Sequence, residues 1–207
     1  MMRPVTAFRG WRRAGLAGLM LAITAMPTAA HPDIAVTLRL LFNLNGAALT
    51  GIGESWTFDT RYSRALIDRF DHDRDGAFAE DEKQALRQRL VADLGGGAFL
   101  NTLTAGDETV ALGDPAGFDA AIHGPAVTVT FAFNLDAPIG LENSQASLMV
   151  RDESYIAAFR LADRYPVMLR GDQNGSCLVR SEAAPDAAYF AGLVVPDRFI
   201  LSCKPVR

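Results

Sequence analysis

The stretch Ile34-Ala35-Val36-Thr37-Leu38-Arg39-Leu40-Leu41-Phe42-Asn43-Leu44-Asn45-Gly46 decides the fold class. Ile34, Val36, Leu38 and Leu40 alternate with other residues, the period of a strand that buries one face. Asn45-Gly46 then marks a tight two-residue hairpin turn, so a return strand is predicted from about Ala48 to Phe58. Strand signals recur downstream at Phe99–Leu103 and Thr109–Leu112, joined by the turn Ala105-Gly106-Asp107. They continue at Ala126–Asn134, Ala146–Val150, Tyr155–Phe159, Val167–Arg170, Leu178–Arg180 and Phe199–Cys203. Short strands separated by turn residues predict a mostly β domain, an antiparallel sheet or sandwich. One short helix is expected near Asp186–Leu193, after Pro185.

One segment interrupts this β framework. Asp71-His72-Asp73-Arg74-Asp75-Gly76-Ala77-Phe78-Ala79-Glu80-Asp81-Glu82 reads as a complete EF-hand calcium loop. That loop needs oxygen donors at its first, third and fifth places, a glycine sixth, an apolar eighth residue and a bidentate carboxylate twelfth. Asp71, Asp73, Asp75, Gly76, Phe78 and Glu82 fill those places, and Ala77 offers its carbonyl at the seventh. Ala79 has no side-chain donor, which leaves its place to water. Carboxylates gathered this closely repel one another without a divalent cation, so Ca2+ is expected to belong to the folded state.

The flanks read as helices. Tyr62, Leu66, Ile67 and Phe70 share one helical face, with Asp59 or Thr60 as the cap; Leu86, Leu90, Val91 and Leu94 share another, stopped by Gly95-Gly96-Gly97. The inserted helix-loop-helix therefore spans about 59–95. A solvated acidic loop that only matches the pattern is the alternative. No second such loop is found, which favours a structural staple over a paired sensor.

Residues 1–30 carry Arg3, Arg9, Arg12 and Arg13 and no acid, then an apolar run from Ala14 to Met26, then Pro27-Thr28-Ala29-Ala30. This is the layout of a secretory signal peptide with cleavage before His31; an uncleaved anchor is the alternative. Removing it leaves 177 residues with 16 basic against 24 acidic, a formal net charge of −8. That balance disfavours nucleic acid as a partner. A length of this order suits one β-rich domain over 31–207, and no further run is long enough for a membrane span.

Two cysteines remain, Cys177 and Cys203. In an exported chain without C-x-x-C spacing they read most simply as one disulfide, with thiolate metal ligation as the sharper alternative. No G-x-S-x-G, H-E-x-x-H or phosphate-binding glycine loop is present, so the chain is expected not to be an enzyme. Asp152-Glu153, read as neighbours on a strand, would point to opposite faces and fail as an acid–base couple. Trp56 and Phe58 alternate on a strand and read as core. His72 and His123 have no metal-ligand spacing to another histidine or cysteine.

The run His31-Pro32-Asp33, Trp56-Thr57-Phe58-Asp59 with Tyr62-Ser63, the calcium-type loop, Asp152-Glu153-Ser154-Tyr155-Ile156-Ala157-Ala158-Phe159 and the final cysteines together resemble one family. It is the bacterial domain-of-unknown-function family one thousand and seven. The resemblance implies a periplasmic accessory or binding component of a transport system, working with a membrane metal permease or ABC transporter on nickel, cobalt or zinc. Family members often begin the mature chain with His-Pro-His, whereas Asp33 stands here in place of the second histidine. The residues themselves allow a site at this end. A freed His31 offers an amine beside an imidazole, Pro32 lacks the amide proton of a square-planar site, and Asp33 adds an oxygen. The alternative is that His31 is simply the first exposed residue. A calcium-stabilised protein-interaction module with no transport role is the second functional expectation.

Overall fold

The computed structural model describes residues 32–172 and 175–204 of the chain. Residues 1–30, the predicted signal peptide, and His31 lie outside the described residues. The opening hairpin forms as predicted: β1 (Ile34–Asn45) and β2 (Ala48–Phe58) pair antiparallel, with Val36 opposite Phe58 and Asn45 opposite Ala48. Helices α1 (Thr60–Phe70) and α2 (Glu80–Leu94) follow, then a 3-10 helix over Gly95–Leu100. The remaining strands are β3 (Asn101–Ala105), β4 (Glu108–Val110), β5 (Ala116–His123), β6 (Ala126–Gly140), β7 (Ala146–Val150), β8 (Ala157–Leu161), β9 (Val167–Arg170), β10 (Cys177–Ala183) and β11 (Asp197–Cys203).

Two sheets result. One has the order β5-β6-β2-β1-β8, with β9 also on β1; the other runs β10-β11-β7-β3-β4. The second is antiparallel throughout. The first is mixed, because β8 pairs with Ile34–Leu38 and β9 with Leu40–Asn43, both parallel to β1. Parallel pairing needs a crossover rather than a hairpin, and β3, β4 and β7 of the second sheet lie between β1 and β8 in sequence. The fold is therefore mostly β, with the helix pair inserted between β2 and β3.

Both sheets and both helices feed one core. Val36, Leu38, Leu40 and Phe42 of β1 meet Trp56, Phe131, Leu103, Leu148 and Leu201, and the helices add Leu66, Phe70, Leu86 and Leu90. Trp56, Phe99, Phe131 and Phe133 form an aromatic cluster, with Trp56–Phe131 and Phe99–Phe131 centroids 5.1 Å apart. Burying such a side chain contributes about 1.5–3 kcal/mol, so the cluster anchors the 3-10 turn through Phe99 to the first sheet.

Several boundaries differ from expectation, each for a local reason. Phe99 and Leu100 are not strand. The chain leaves α2 as a 3-10 turn, and Phe99 drops into the core at 1% exposure. The strand expected from Tyr155 starts at Ala157, because Asp152 folds the preceding residues into a turn: its carboxylate accepts the N–H groups of Ser154, Ile156 and Ala157. Asp152 and Glu153 are thus turn residues, the first buried and the second paired with Arg151 at 2.8 Å. The helix expected over Asp186–Leu193 reduces to a 3-10 turn at Pro185–Ala187, since Phe190 and Ala191 take positive φ and Tyr189 bridges back to Val194. Strand β5 escaped sequence reading: it is an edge strand whose register shifts between Ala116 and Asp119, which breaks the alternation. Strand β6 runs on to Gly140, past the predicted Asn134.

Candidate metal centre

Asp59 starts the site from a distance. Its carboxylate caps α1 by accepting the N–H groups of Arg61 at 2.8 Å and Tyr62 at 3.0 Å, while its other oxygen takes the N–H of Ala35 on β1. Leu66 and Phe70 press α1 onto the core, as Leu86 and Leu90 do α2. The segment between the helices must therefore turn within a fixed span. Phe78, 6% exposed, pins its middle to the same core.

The carboxylates organise the turn. Asp71 ends α1, its N–H bonded to the Ile67 carbonyl at 2.9 Å, and its Oδ2 accepts the Gly76 N–H at 3.2 Å. Gly76 adopts φ +84°, a conformation side chains resist, and so lets the backbone fold back toward Asp71. Asp73 Oδ1 accepts the Asp75 N–H at 3.3 Å, and Asp75 Oδ1 accepts the Ala77 N–H at 2.8 Å. From the first turn of α2, Glu82 returns: Oε1 accepts the His72 N–H at 2.5 Å and Oε2 the Ala79 N–H at 2.9 Å. Glu82 is 4% exposed, an unusual depth for an ionisable side chain. The His72 ring, mostly exposed, lies 3.5 Å from Glu82 Oε1.

One oxygen each from Asp71, Asp73 and Glu82 lie within 4.8 Å of one another. Oxygens bound to a common Ca2+ at about 2.4 Å cannot be farther apart than twice that radius, so the spacing suits the ion. Asp71 Oδ1 is also buried without any hydrogen-bond partner. A carboxylate oxygen in that state is costly unless a cation or proton meets it. These residues fit a hard divalent cation. Asp75, exposed, is outside the close trio, and Ala77 follows it in the same exposed arc.

Among the described residues, this trio is the one group with metal-holding spacing. Asp33, the described member of the predicted amino-terminal pair, is placed elsewhere. Asp33 is exposed and pairs with Arg61, which lies 3.8 Å from its carboxylate and also donates to its carbonyl. Cys177 and Cys203 form the disulfide, opposite each other on β10 and β11 with an S–S distance of 2.01 Å, so thiolate ligation is ruled out.

One polar cluster was missed by sequence reading. Glu54 of β2 is buried, its Oε2 accepting the Trp56 Nε1–H at 2.7 Å, and Asn101 of β3 lies against it. The signal was present: Glu54 interrupts Ile52, Trp56 and Phe58 on the core-facing register.

A family model described as "Protein of unknown function (DUF1007)" matches residues 16–193. No curated protein matches the chain. Among the described residues no helix is long and apolar enough to cross a membrane.

Proposed function

We propose, for a chain that belongs to the DUF1007 family, a non-catalytic binding role outside the cytoplasm, in a domain that takes one Ca2+ into its folded state. The observation that carries the calcium part is Asp71 Oδ1, buried and unpartnered on a residue whose carboxylate gathers with those of Asp73 and Glu82. Asp75 and the Ala77 carbonyl complete the donor set along the same turn. The ion's role is electrostatic: it neutralises carboxylates that join the end of α1 to the start of α2 and thereby fixes the two helices on the core. Ca2+ binding should raise the melting temperature, because the ion prefers the folded chain. Replacing Asp71 by Ala together with Glu82 by Gln should abolish both the calcium heat and the melting shift. An unchanged heat in that double variant would remove the loop as the site.

The disulfide and the signal-peptide layout of residues 1–30 support a periplasmic location, since thiols stay reduced in the cytosol. A transport role for nickel, cobalt or zinc rests on the family resemblance and on the amine and imidazole that cleavage would create at His31. The Asp33–Arg61 pair favours the second reading, a calcium-stabilised interaction module, because Arg61 competes for the oxygen Asp33 would lend to a metal. Transition-metal titration, with calcium saturating, separates the two. Processed protein, protein extended by one residue ahead of His31, and the His31→Ala variant should differ if the amino terminus binds cargo. Equal affinities in all three would leave the interaction module.

A further inference from the structure

Leu40 and Phe42 send one face of β1 into the core, so Arg39, Leu41 and Asn43 point the other way, onto the outer surface of the first sheet. Register extends this surface across the neighbouring strands. Ser55 of β2 stands opposite Arg39, and Thr130 of β6 opposite Ser55. The next row runs Ala132, Gly53, Leu41 and, on β9, Met168; in the row beyond, Arg170 stands beside Asn43. These side chains line a solvent-open trough of about 540 Å3 with an arginine at each end.

Gly53 shapes the middle of the trough. Its neighbour on the same face, Gly51, is glycine for a steric reason, because a Cβ there would lie 2.6 Å from the Phe133 carbonyl oxygen. At Gly53 a Cβ would meet the Leu41 side chain alone, at 3.4 Å, so the fold itself does not demand glycine. A glycine inside a paired strand weakens it and marks places where another chain approaches closely.

No acid answers the two arginines. Residues 31–207 hold 24 acidic residues against 16 basic ones, and Arg61, Arg89, Arg151, Arg180 and Arg198 each pair with a carboxylate. Among the described residues, Arg39 and Arg170 pair with none. β1 and β9 contain no acid. Around them, Glu54 turns to the core and accepts the Trp56 Nε1–H, and Asp119 holds Lys83 at 2.8 Å. Asp172 accepts the N–H groups of Ser176 and Cys177, and Asp136 lies past Asn134, three strands across from Arg170 by register.

Spacing identifies the complement. Arg39 is four residues from Asn43, which puts it about 13 Å along β1 from the row of Arg170, with the Leu41–Met168 row midway. Cation, apolar row and cation thus follow one another at two-residue steps. An extended peptide repeats the side chains of one face at the same step. A phosphate-rich surface, by contrast, has no apolar group to set between its charges. We propose that this trough binds an extended acidic segment of a partner protein, with carboxylates four residues apart on Arg39 and Arg170 and an apolar side chain between them on Leu41 and Met168. Each guanidinium can meet a carboxylate with two parallel N–H donors. The partner so defined gives the non-catalytic binding role its ligand and rests on that role.

The test is fluorescence anisotropy of a fluorescein-labelled peptide containing Glu-Ser-Leu-Ser-Glu, added to the disulfide-bonded protein with calcium saturating. The parent should bind it, less tightly as salt is raised. Arg39→Gln with Arg170→Gln should weaken binding by about tenfold or more. Arg180→Gln, which removes an equal charge from the second sheet, should leave binding unchanged. A peptide with serine in place of the leucine should bind several-fold more weakly. Both arginines lie at the surface, so the double variant should keep the parent's melting temperature and its calcium shift. A parent that leaves the peptide's anisotropy unchanged, or a double variant that binds as the parent does, overturns the proposal. Arginine-dependent binding to phosphatidylglycerol vesicles without binding to the peptide also overturns it and assigns the face to a membrane. Calcium heat recorded on the same samples separates the failures: a chain that takes Ca2+ and no peptide loses the trough alone, whereas one that takes neither loses the calcium reading with it.

Discussion

Gly171 ends β9 at φ +90°, and a Cβ placed there would lie 1.9 Å from the Leu44 carbonyl oxygen. No rotamer relieves that contact, because the obstacle is backbone of the neighbouring strand. Gly171→Ala is expected to cost about 1–3 kcal/mol from the backbone conformation alone, and more from displacing β1. Gly113→Ala is the control: open space surrounds its Cβ position, so the change should stay within about 0.5 kcal/mol. Urea unfolding of the two variants checks the contrast, and equal midpoints would refute it. At this scale the sequence was legible where chemistry is local. Asp71, Asp73 and Glu82 stand in a pattern whose spacing already implies their proximity, and the two cysteines pair on count and the absence of a C-x-x-C spacing. Glu54 was visible as an acid in a core-facing row, but its partner Asn101 arrives from another sheet, and no spacing rule connects them.

Among the elements, α1 shows how a cap joins local and long-range order. Sequence reading offered Asp59 or Thr60 as the cap; the structure selects Asp59, and uses it twice. One oxygen receives Arg61 and Tyr62, and the other the Ala35 N–H at 2.8 Å, so the cap also docks α1 against β1. Partial burial pushes the Asp59 carboxyl up, but the N–H groups of Ala35, Tyr62 and Arg61 and the Arg61 charge outweigh it and hold it below 3.8. A depressed acid contributes stability above its unfolded value and loses it as pH falls through the folded one. Asp59→Ala is therefore expected to cost about 0.5–2 kcal/mol at pH 7. The difference from the parent should shrink as the pH approaches 3, and unfolding curves at both pH values measure it. A penalty that stayed constant would mean that the side chain acts through packing rather than through its charge. The hairpin β1–β2 and the two helices were all legible. The parallel docking of β8 and β9 was not, because pairing partners distant in sequence leave no trace in either strand's own pattern.

For the whole molecule, the second sheet has a weak margin. β10 is an edge strand whose one partner in the sheet is β11, and between them the chain runs through the 3-10 turn and the exposed turn around Leu193, 78% accessible. Little apolar burial holds that excursion, so the edge would open readily by itself. The disulfide closes it. Cys177 and Cys203 face each other directly across the ladder with 26 residues of separation, and Cys203 is buried at the core's margin. In the chain-entropy view a loop of this size contributes about 3 kcal/mol by restricting the unfolded chain. Reduction, or Cys203→Ser with Cys177→Ser, should therefore lower the melting temperature by several degrees. Hydrogen exchange should show where: amides of β10 and of residues 184–196 lose protection first, while the β1–β2 hairpin keeps its own. Thiol labelling of the denatured, unreduced protein should find no free cysteine. If the reduced chain instead loses protection evenly across both sheets, the bridge supports the global fold, and the edge is stable without it.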